Sequence, residues 1–329
     1  MRTPAFWYRP AGPAAWALAP LGVLYGLAGR LRMARTKPFR AGVPVICVGN
    51  LVAGGAGKTP VAIALLEALE ARGIAAHVLT RGHGGSERGP IRVDPQRHCS
   101  AEVGDEALLL AAQAPCWVAR DRAEGARAAV AAGAGTLVMD DGFQNPHLAK
   151  DLSLIVVDGT AGFGNGFQIP AGPLREPVAR GLARADALVV LGEDRAGSAR
   201  RAGTLPVLHA RLQPDGEVAR ELAGRALLAF AGIGRPEKFF ATLESLGARL
   251  ADRVAFPDHH PFRPEDIAML LERAERLGAL PVTTAKDAVR LPPDARARVR
   301  VLPVRAVWQD AGALDALLDR LRLQGGGHG

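Results

Sequence analysis

The residues best suited to chemistry are Gly54, Gly55, Gly57, Lys58 and Thr59, in the run Val43-Pro44-Val45-Ile46-Cys47-Val48-Gly49-Asn50-Leu51-Val52-Ala53-Gly54-Gly55-Ala56-Gly57-Lys58-Thr59-Pro60. A triphosphate must lie against bare backbone N–H groups at a helix N-terminus, where the aligned peptide dipoles favour negative charge. The glycines let the backbone come that close. Lys58 reaches the β- and γ-phosphates as a point charge, and the Thr59 hydroxyl suits the Mg2+ ion that travels with ATP. The nucleotide-cradling segment is therefore Val52, Ala53, Gly54, Gly55, Ala56, Gly57, Lys58 and Thr59, with Val52 standing where the strict pattern has its first glycine.

Such a loop works only between a buried strand and a helix, and both are written around it. The β-branched run from Val43 to Val48 reads as the strand. Pro60 at a first-turn position, then Val61, Leu65, Leu66 and Leu69, read as the helix, which Gly73 closes. A second apolar strand, Thr136-Leu137-Val138-Met139, ends in Asp140 and Asp141. A carboxylate at the end of a buried strand beside such a loop is where magnesium or its water shell is held, so this pair is the expected acidic partner of Lys58 and Thr59. Which of the two touches the metal is left open.

Two further polar groups stand out. Asp105 and Glu106 open an apolar helix, and on the residues alone they read as capping, since acids favour helix N-termini. Asp258-His259-His260 lies between turn residues and is a candidate for proton chemistry; a metal pair is disfavoured because no further His or Cys lies nearby.

Strands are also expected at Ala75 to Thr80, Leu152 to Val157, Ala187 to Leu191 and Leu205 to Ala210, alternating with helical stretches. That alternation predicts an α/β fold, P-loop NTPase-like, with a mostly parallel sheet covered on both faces. The turn Pro214-Asp215-Gly216 precedes a fresh apolar run at Ala226 to Ala231, which places a domain boundary there. The expected organisation is an anchor helix over 1–35, a P-loop core over 36–213 and a smaller α/β domain over 214–329, with a disordered glycine-rich end from Gly325. A chain of 329 residues is long enough for two cores. The net charge of +8 suits anionic partners, and three widely spaced cysteines argue for a reducing compartment and against a structural zinc site or a disulfide framework.

No charged residue occurs between Arg9 and Arg30, and both tyrosines and two of the four tryptophans lie in the first 25 residues. Arg30, Arg32, Arg35, Lys37 and Arg40 follow as a cluster suited to anionic lipid. Export would carry an ATP site away from its ATP, which argues against a cleaved signal peptide. An interfacial anchor helix is the favoured reading. A full span is allowed by length but weakened by Pro13, Pro20 and the glycines, and a buried core helix is the third reading.

As an ordered set, Gly-Asn-Leu-Val-Ala-Gly-Gly-Ala-Gly-Lys-Thr-Pro, Arg-Gly-His-Gly-Gly, Gly-Asp-Glu, Asp-Asp-Gly-Phe-Gln, Pro-Leu-Arg-Glu-Pro, Asp-His-His-Pro-Phe and Thr-Ala-Lys-Asp resemble the tetraacyldisaccharide 4'-kinase family of lipid A biosynthesis. The resemblance runs from the N-terminal apolar helix to about Lys286-Asp287. It implies transfer of phosphate from ATP to the 4'-hydroxyl of a tetraacylated glucosamine disaccharide 1-phosphate at the cytoplasmic face of the bacterial inner membrane, in a cleft between a P-loop core and a smaller α/β domain. It further implies that Asp105 is the base for the sugar hydroxyl, with His259 its partner. By the same resemblance Glu106, Asp141 and Glu176 are magnesium-associated acids, with Asp140 close by. His83 stands where the family commonly has tyrosine, and Asn145 where it has histidine. The implied partners are a glycolipid substrate and a membrane surface, with no nucleic acid and no obligate protein partner.

A membrane-associated P-loop ATPase switch is the alternative from a different class. Against it, no Asn-Lys-x-Asp guanine motif is present, and Ala53 precedes Gly54-Gly55 where partitioning-type ATPases carry a lysine. A soluble small-molecule kinase would leave the first 30 residues without a function.

Overall fold

The computed structural model describes residues 4–325. Its strands, in chain order, are β1 Val45–Gly49, β2 Ala76–Thr80, β3 Ile91–Arg92, β4 Cys116–Val118, β5 Thr136–Asp140, β6 Leu152–Asp158, β7 Ala187–Leu191, β8 Val207–Pro214, β9 Ala226–Ala231, β10 Arg249–Ala255, β11 Leu280–Thr284, β12 Arg300–Leu302 and β13 Val304–Trp308.

They form two sheets. The larger has the order β13-β8-β7-β6-β1-β5-β2-β4-β3 and is parallel except for its outermost strands, β13 against β8 and β3 against β4. Strands β1, β5 and β7 are buried at every position, as strands covered on both faces must be, which is why they read as mostly apolar runs. The smaller sheet, β10-β9-β11-β12, is parallel throughout. Strand β1 lies between β5 and β6, so the chain leaves the sheet in opposite directions on its two sides. Ligands of open α/β sheets bind in the crevice at the strand ends of such a switch point.

The expected third unit, a continuous domain over 214–329, is corrected by the pairing. Residues 304–325 return to the large sheet: Val304 to Trp308 pair antiparallel with β8, and Leu314, Leu317, Leu318 and Leu321 of the helix Ala311–Gly325 join the core around Val61 and Leu65. An edge strand and a helix face on the large sheet were left to be covered, and the chain end covers both. Arg72 then pairs with Asp315 and Asp319 across that contact. The turn expected at Pro214-Asp215-Gly216 begins a helix, Gly216–Leu222, whose N-cap Asp215 accepts from the N–H groups of Glu217 and Val218. Gly325 ends a helix; the rest of the expected disordered end lies outside the described residues.

The N-terminal helix, Pro13–Arg35, is long and apolar enough to cross a membrane by length and composition. It is not a core helix. Its small residues Ala15, Gly22 and Gly26 are buried against the body, while Trp16, Leu21, Val23, Leu24, Tyr25, Leu27 and Leu31 are exposed. The docking face needs glycine: a Cβ at Gly22 would stand 2.9 Å from the Gln168 carbonyl oxygen, and one at Gly26 would overlap the Gln168 side-chain amide. Trp16 packs edge-on against Phe167, and the preceding short helix Ala5–Tyr8 is fixed by Trp7, whose indole N–H donates to the Pro170 carbonyl.

Candidate active site

The loop between β1 and the helix Lys58–Glu70 makes the cradle that the sequence predicts. Gly57 is the helix N-cap with φ 81°, and Gly54 has φ 109°, both left-handed conformations that favour glycine. At Gly57 a side chain would also run into Leu191 at the end of β7. Val52 can replace the usual glycine because it is extended here: it bridges to Leu174, with Ala53 N–H donating to Pro173 O and Arg175 N–H to Leu51 O. The segment 168–177 thus braces the loop from outside, and Pro60 takes a first-turn position where no helical hydrogen bond is lost.

Asp140 ends β5 in register with Val48 of β1, so its carboxyl lies beside the cradle. It is fully buried, and neither oxygen has a hydrogen-bond partner. Burial, with the charge of Glu106, pushes its pKa up to about 8 against the pull of Lys58. A buried carboxyl without hydrogen-bond partners favours its neutral form unless a cation comes beside it. Asp141, at φ 52°, turns the other way. Its carboxylate takes two hydrogen bonds from Arg175 at 2.8 and 3.2 Å and lies 3.6 Å from Lys58 Nζ. Burial works to raise Asp141, but Lys58 and Arg175 outweigh it and hold the pKa at about 2. Glu176 is gripped by Arg184 at 2.7 Å through both oxygens and accepts from Gln144, which also donates to Asn50 O. Thr59 lies in the first turn of the helix that follows the loop. Among the described residues, no three His, Cys, Asp or Glu side chains group into an all-protein metal site, so an ion held by Thr59 and Asp140 would take its remaining ligands from phosphate and water.

The second cluster joins the two sheets. Asp105, the first residue of the helix Asp105–Ala111, is 3 % exposed, and it caps nothing beyond the adjacent Glu106 N–H. The capping reading of its residue type is therefore incomplete. Its Oδ2 meets His259 Nδ1 at 3.0 Å, Arg290 Nε at 3.6 Å and Lys286 Nζ at 3.9 Å, all three from the smaller domain. Burial would raise the Asp105 carboxyl, but the His259 hydrogen bond and the charges of Lys286, His259 and Arg290 hold it below its ordinary value. His259 is presented by a backbone at φ 58°, with its N–H on Gly232 O. His83 packs edge-on against the His259 ring at 5.6 Å, so the glycine loop after β2 reaches the same place. Glu106 faces Lys286 at 3.4 Å.

The structure places the expected residues in two groups: Lys58, Thr59, Asp140, Asp141 and Glu176 by the loop, and Asp105, Glu106 and His259 at the domain junction, with the charge of Glu106 felt at Asp140. Sequence reasoning assigned no role to Arg175, Gln144, Lys286 or Arg290. Arg175 and Lys286 sit in motifs it had singled out, Pro-Leu-Arg-Glu-Pro and Thr-Ala-Lys-Asp. Beside the first group a pocket of about 260 Å³ opens between the N-terminal helix and the core, lined by Tyr25, Gly29, Arg32, Gln144, Arg175 and Arg180.

Comparison with known proteins gives one answer at three levels. The family model described as tetraacyldisaccharide-1-P 4'-kinase matches residues 14–322. The tetraacyldisaccharide 4'-kinase of Rhodospirillum centenum is 62% identical over 323 residues, covering 97% of this chain and 96% of that protein. Its counterpart in Rhodospirillum rubrum is 56% identical over 329 residues, covering 98% of each. The crystal structure of LpxK from Aquifex aeolicus in complex with ATP shares the fold, with a TM-score of 0.73 at 24% identity over 93% of this chain and 99% of that one. A P-loop core and the near-full-length match point the same way as the ordered motifs: the chain belongs to the tetraacyldisaccharide 4'-kinase family.

Proposed function

We propose that this chain is an ATP-dependent kinase of lipid A biosynthesis that phosphorylates the 4'-hydroxyl of a tetraacyldisaccharide 1-phosphate, working at the cytoplasmic face of the inner membrane. Family membership supports the reaction. The single observation that carries the mechanism is the meeting of Asp105 and His259 from two domains, beside a phosphate cradle.

Phosphoryl transfer asks the protein mainly for positioning and charge neutralisation. The N–H groups of the loop 52–59 hold the triphosphate, and Lys58 neutralises its β- and γ-oxygens. Thr59 and Asp140 would hold Mg2+, with Glu106 and Asp141 in its outer surroundings; the orphaned oxygens of Asp140 fit that role. The ion, when bound, neutralises phosphate charge. Glu176 is already paired with Arg184 and holds Gln144, so its part is to order the acceptor side of the loop.

Asp105 accepts the proton of the attacking hydroxyl. Its depressed basicity is compatible with that task because a largely dissociative transfer needs the proton taken only late. His259 orients the carboxylate. We assign the acceptor headgroup to the pocket under the N-terminal helix, whose lining includes Arg32, Arg175 and Arg180 as positive charge for its 1-phosphate. The exposed apolar face of that helix, followed by Arg30, Arg32, Arg35, Lys37 and Arg40, brings the pocket to the headgroup level.

The test is to supply ATP labelled at its γ-phosphate with tetraacyldisaccharide 1-phosphate in detergent, and to follow label into lipid and into free phosphate. Label in the lipid at the 4'-position is expected. Free phosphate without labelled lipid would contradict the kinase reading and favour an ATPase switch.

A further inference from the structure

We propose that Lys286 is a positioning residue that fixes the tautomer of His259. An ammonium group can only donate hydrogen bonds. Lys286 Nζ lies 3.4 Å from His259 Nε2, and the opposite ring nitrogen, Nδ1, lies 3.0 Å from Asp105 Oδ2. Facing a donor-only group, Nε2 must offer its lone pair. Facing a carboxylate, Nδ1 must carry the proton. The two contacts therefore select one form, neutral with the proton on Nδ1, and a flipped ring would put carbon at both contacts and lose them. An imidazolium would point Nε2–H at the ammonium, which opposes it.

The groups around the ring are few. Among the described residues, Asp258 Oδ1, 3.9 Å from Nε2, beyond hydrogen-bond reach and farther than Lys286, is the group that would draw a proton to that nitrogen. His83 meets the ring edge-on. Arg290 serves Asp105 rather than the imidazole and is itself tied to Asp287, Gly232 O and His260 O. Lys286 also faces Glu106 at 3.4 Å, so the same side chain anchors the histidine's domain to the helix that carries Asp105. Lys286 starts from the turn after β11, in the helix Ala285–Ala288, where the hydroxyl of Thr284 caps the backbone N–H of Asp287, so its root is fixed. The inference rests on Asp105 and His259 forming the reactive pair, and the lysine acts through that pair.

The experiment uses full-length protein in detergent, labelled with nitrogen-15 at histidine, with His259→Gln to assign the resonance. The wild type should show a protonated Nδ1 and a bare Nε2. Lys286→Met should lose that pattern, with proton density appearing on Nε2 under the influence of Asp258. Lys286→Arg, which keeps a donor-only cation, should retain it. In parallel, kcat for transfer to the lipid should fall about 10- to 100-fold in Lys286→Met, with KM for ATP unchanged, and Lys286→Arg should recover most of the loss. A wild-type nitrogen pattern in Lys286→Met overturns the proposal whatever the rate, and so does a shifted pattern with an unchanged rate. If the wild type itself transfers no phosphate, the kinase reading fails, while the nitrogen pattern still decides the role of Lys286.

Discussion

Lys58, the first residue of the helix after the glycine loop, is buried with its ammonium 3.6 Å from Asp141, so its charge is what the site uses. Lys58→Ala should therefore lower turnover by at least about 100-fold, the scale for one preorganised donor on a transferring group, with an unchanged circular dichroism spectrum. Near-normal turnover would remove the phosphate-binding reading. A second residue-scale prediction concerns Asp158 at the end of β6, whose carboxylate takes Lys238 Nζ at 2.5 Å and Arg235 at 3.2 Å from the smaller domain. Burial opposes ionisation there, but the Lys238 and Thr160 hydrogen bonds and the two cations hold the pKa at about 2. Because that lies below the unfolded value of about 3.9, the stabilisation is complete above roughly pH 5 and is lost as pH falls through about 2. Asp158→Asn should cost on the order of 2 kcal/mol in urea unfolding at pH 7, and its gap from the wild type should stay level down to about pH 5 and narrow below. A gap that widens with acid would contradict the assignment. Residue types made Lys58, Thr59, Asp140 and Asp141 legible, since strand, glycine loop and acidic strand end are local patterns. Asp105 was not legible that way: an acid at a helix start looks like a cap, and only its near-complete burial against groups more than 150 positions away tells otherwise.

At the scale of elements, the N-terminal helix shows how a face is chosen. Its large apolar residues point outward and its glycines inward, the reverse of a core helix, because Gln168 of the bracing segment approaches the helix backbone. The two glycines should respond differently. A side chain at Gly22 meets the Gln168 main-chain carbonyl, which cannot yield, whereas one at Gly26 meets the movable end of the Gln168 side chain. Gly22→Val should loosen the docked helix, costing about 1–3 kcal/mol and raising proteolysis between residues 13 and 35, more than Gly26→Val does. Equal sensitivity would contradict the packing described. Removing residues 1–29 should release the protein from anionic vesicles and impair activity on lipid in bilayers or micelles; a truncated chain that still sediments with vesicles would place the anchor elsewhere. Hydropathy made this helix visible in the sequence, while its docked face was not, since glycine spacing does not say what approaches it. The strands β1, β5, β6 and β7 were equally visible as mostly apolar runs. Strand β13 was missed because only Ala306 of Val304 to Trp308 is buried and because it pairs with a strand almost a hundred positions earlier, information that no local pattern holds.

At the scale of the whole molecule, the chain end strapped back onto the large sheet leaves the smaller sheet as an insertion between β8 and β13, joined to its host at both ends. The insertion carries His259, Lys286 and Arg290 to Asp105, and Arg235 and Lys238 to Asp158, so its only chemistry in the account is to meet acids of the P-loop core. The central claim is that the reaction is run across this junction, with Asp105 and His259 acting as one unit. The measurement that tests it most directly is a double-mutant cycle on the rate of phosphate transfer from saturating ATP to the lipid, using Asp105→Ala, His259→Ala and the double variant. Each single change should slow transfer with ATP affinity nearly unchanged, and the double variant should be scarcely slower than the worse single one. Losses that multiply would mean two independent contributions and would contradict the account.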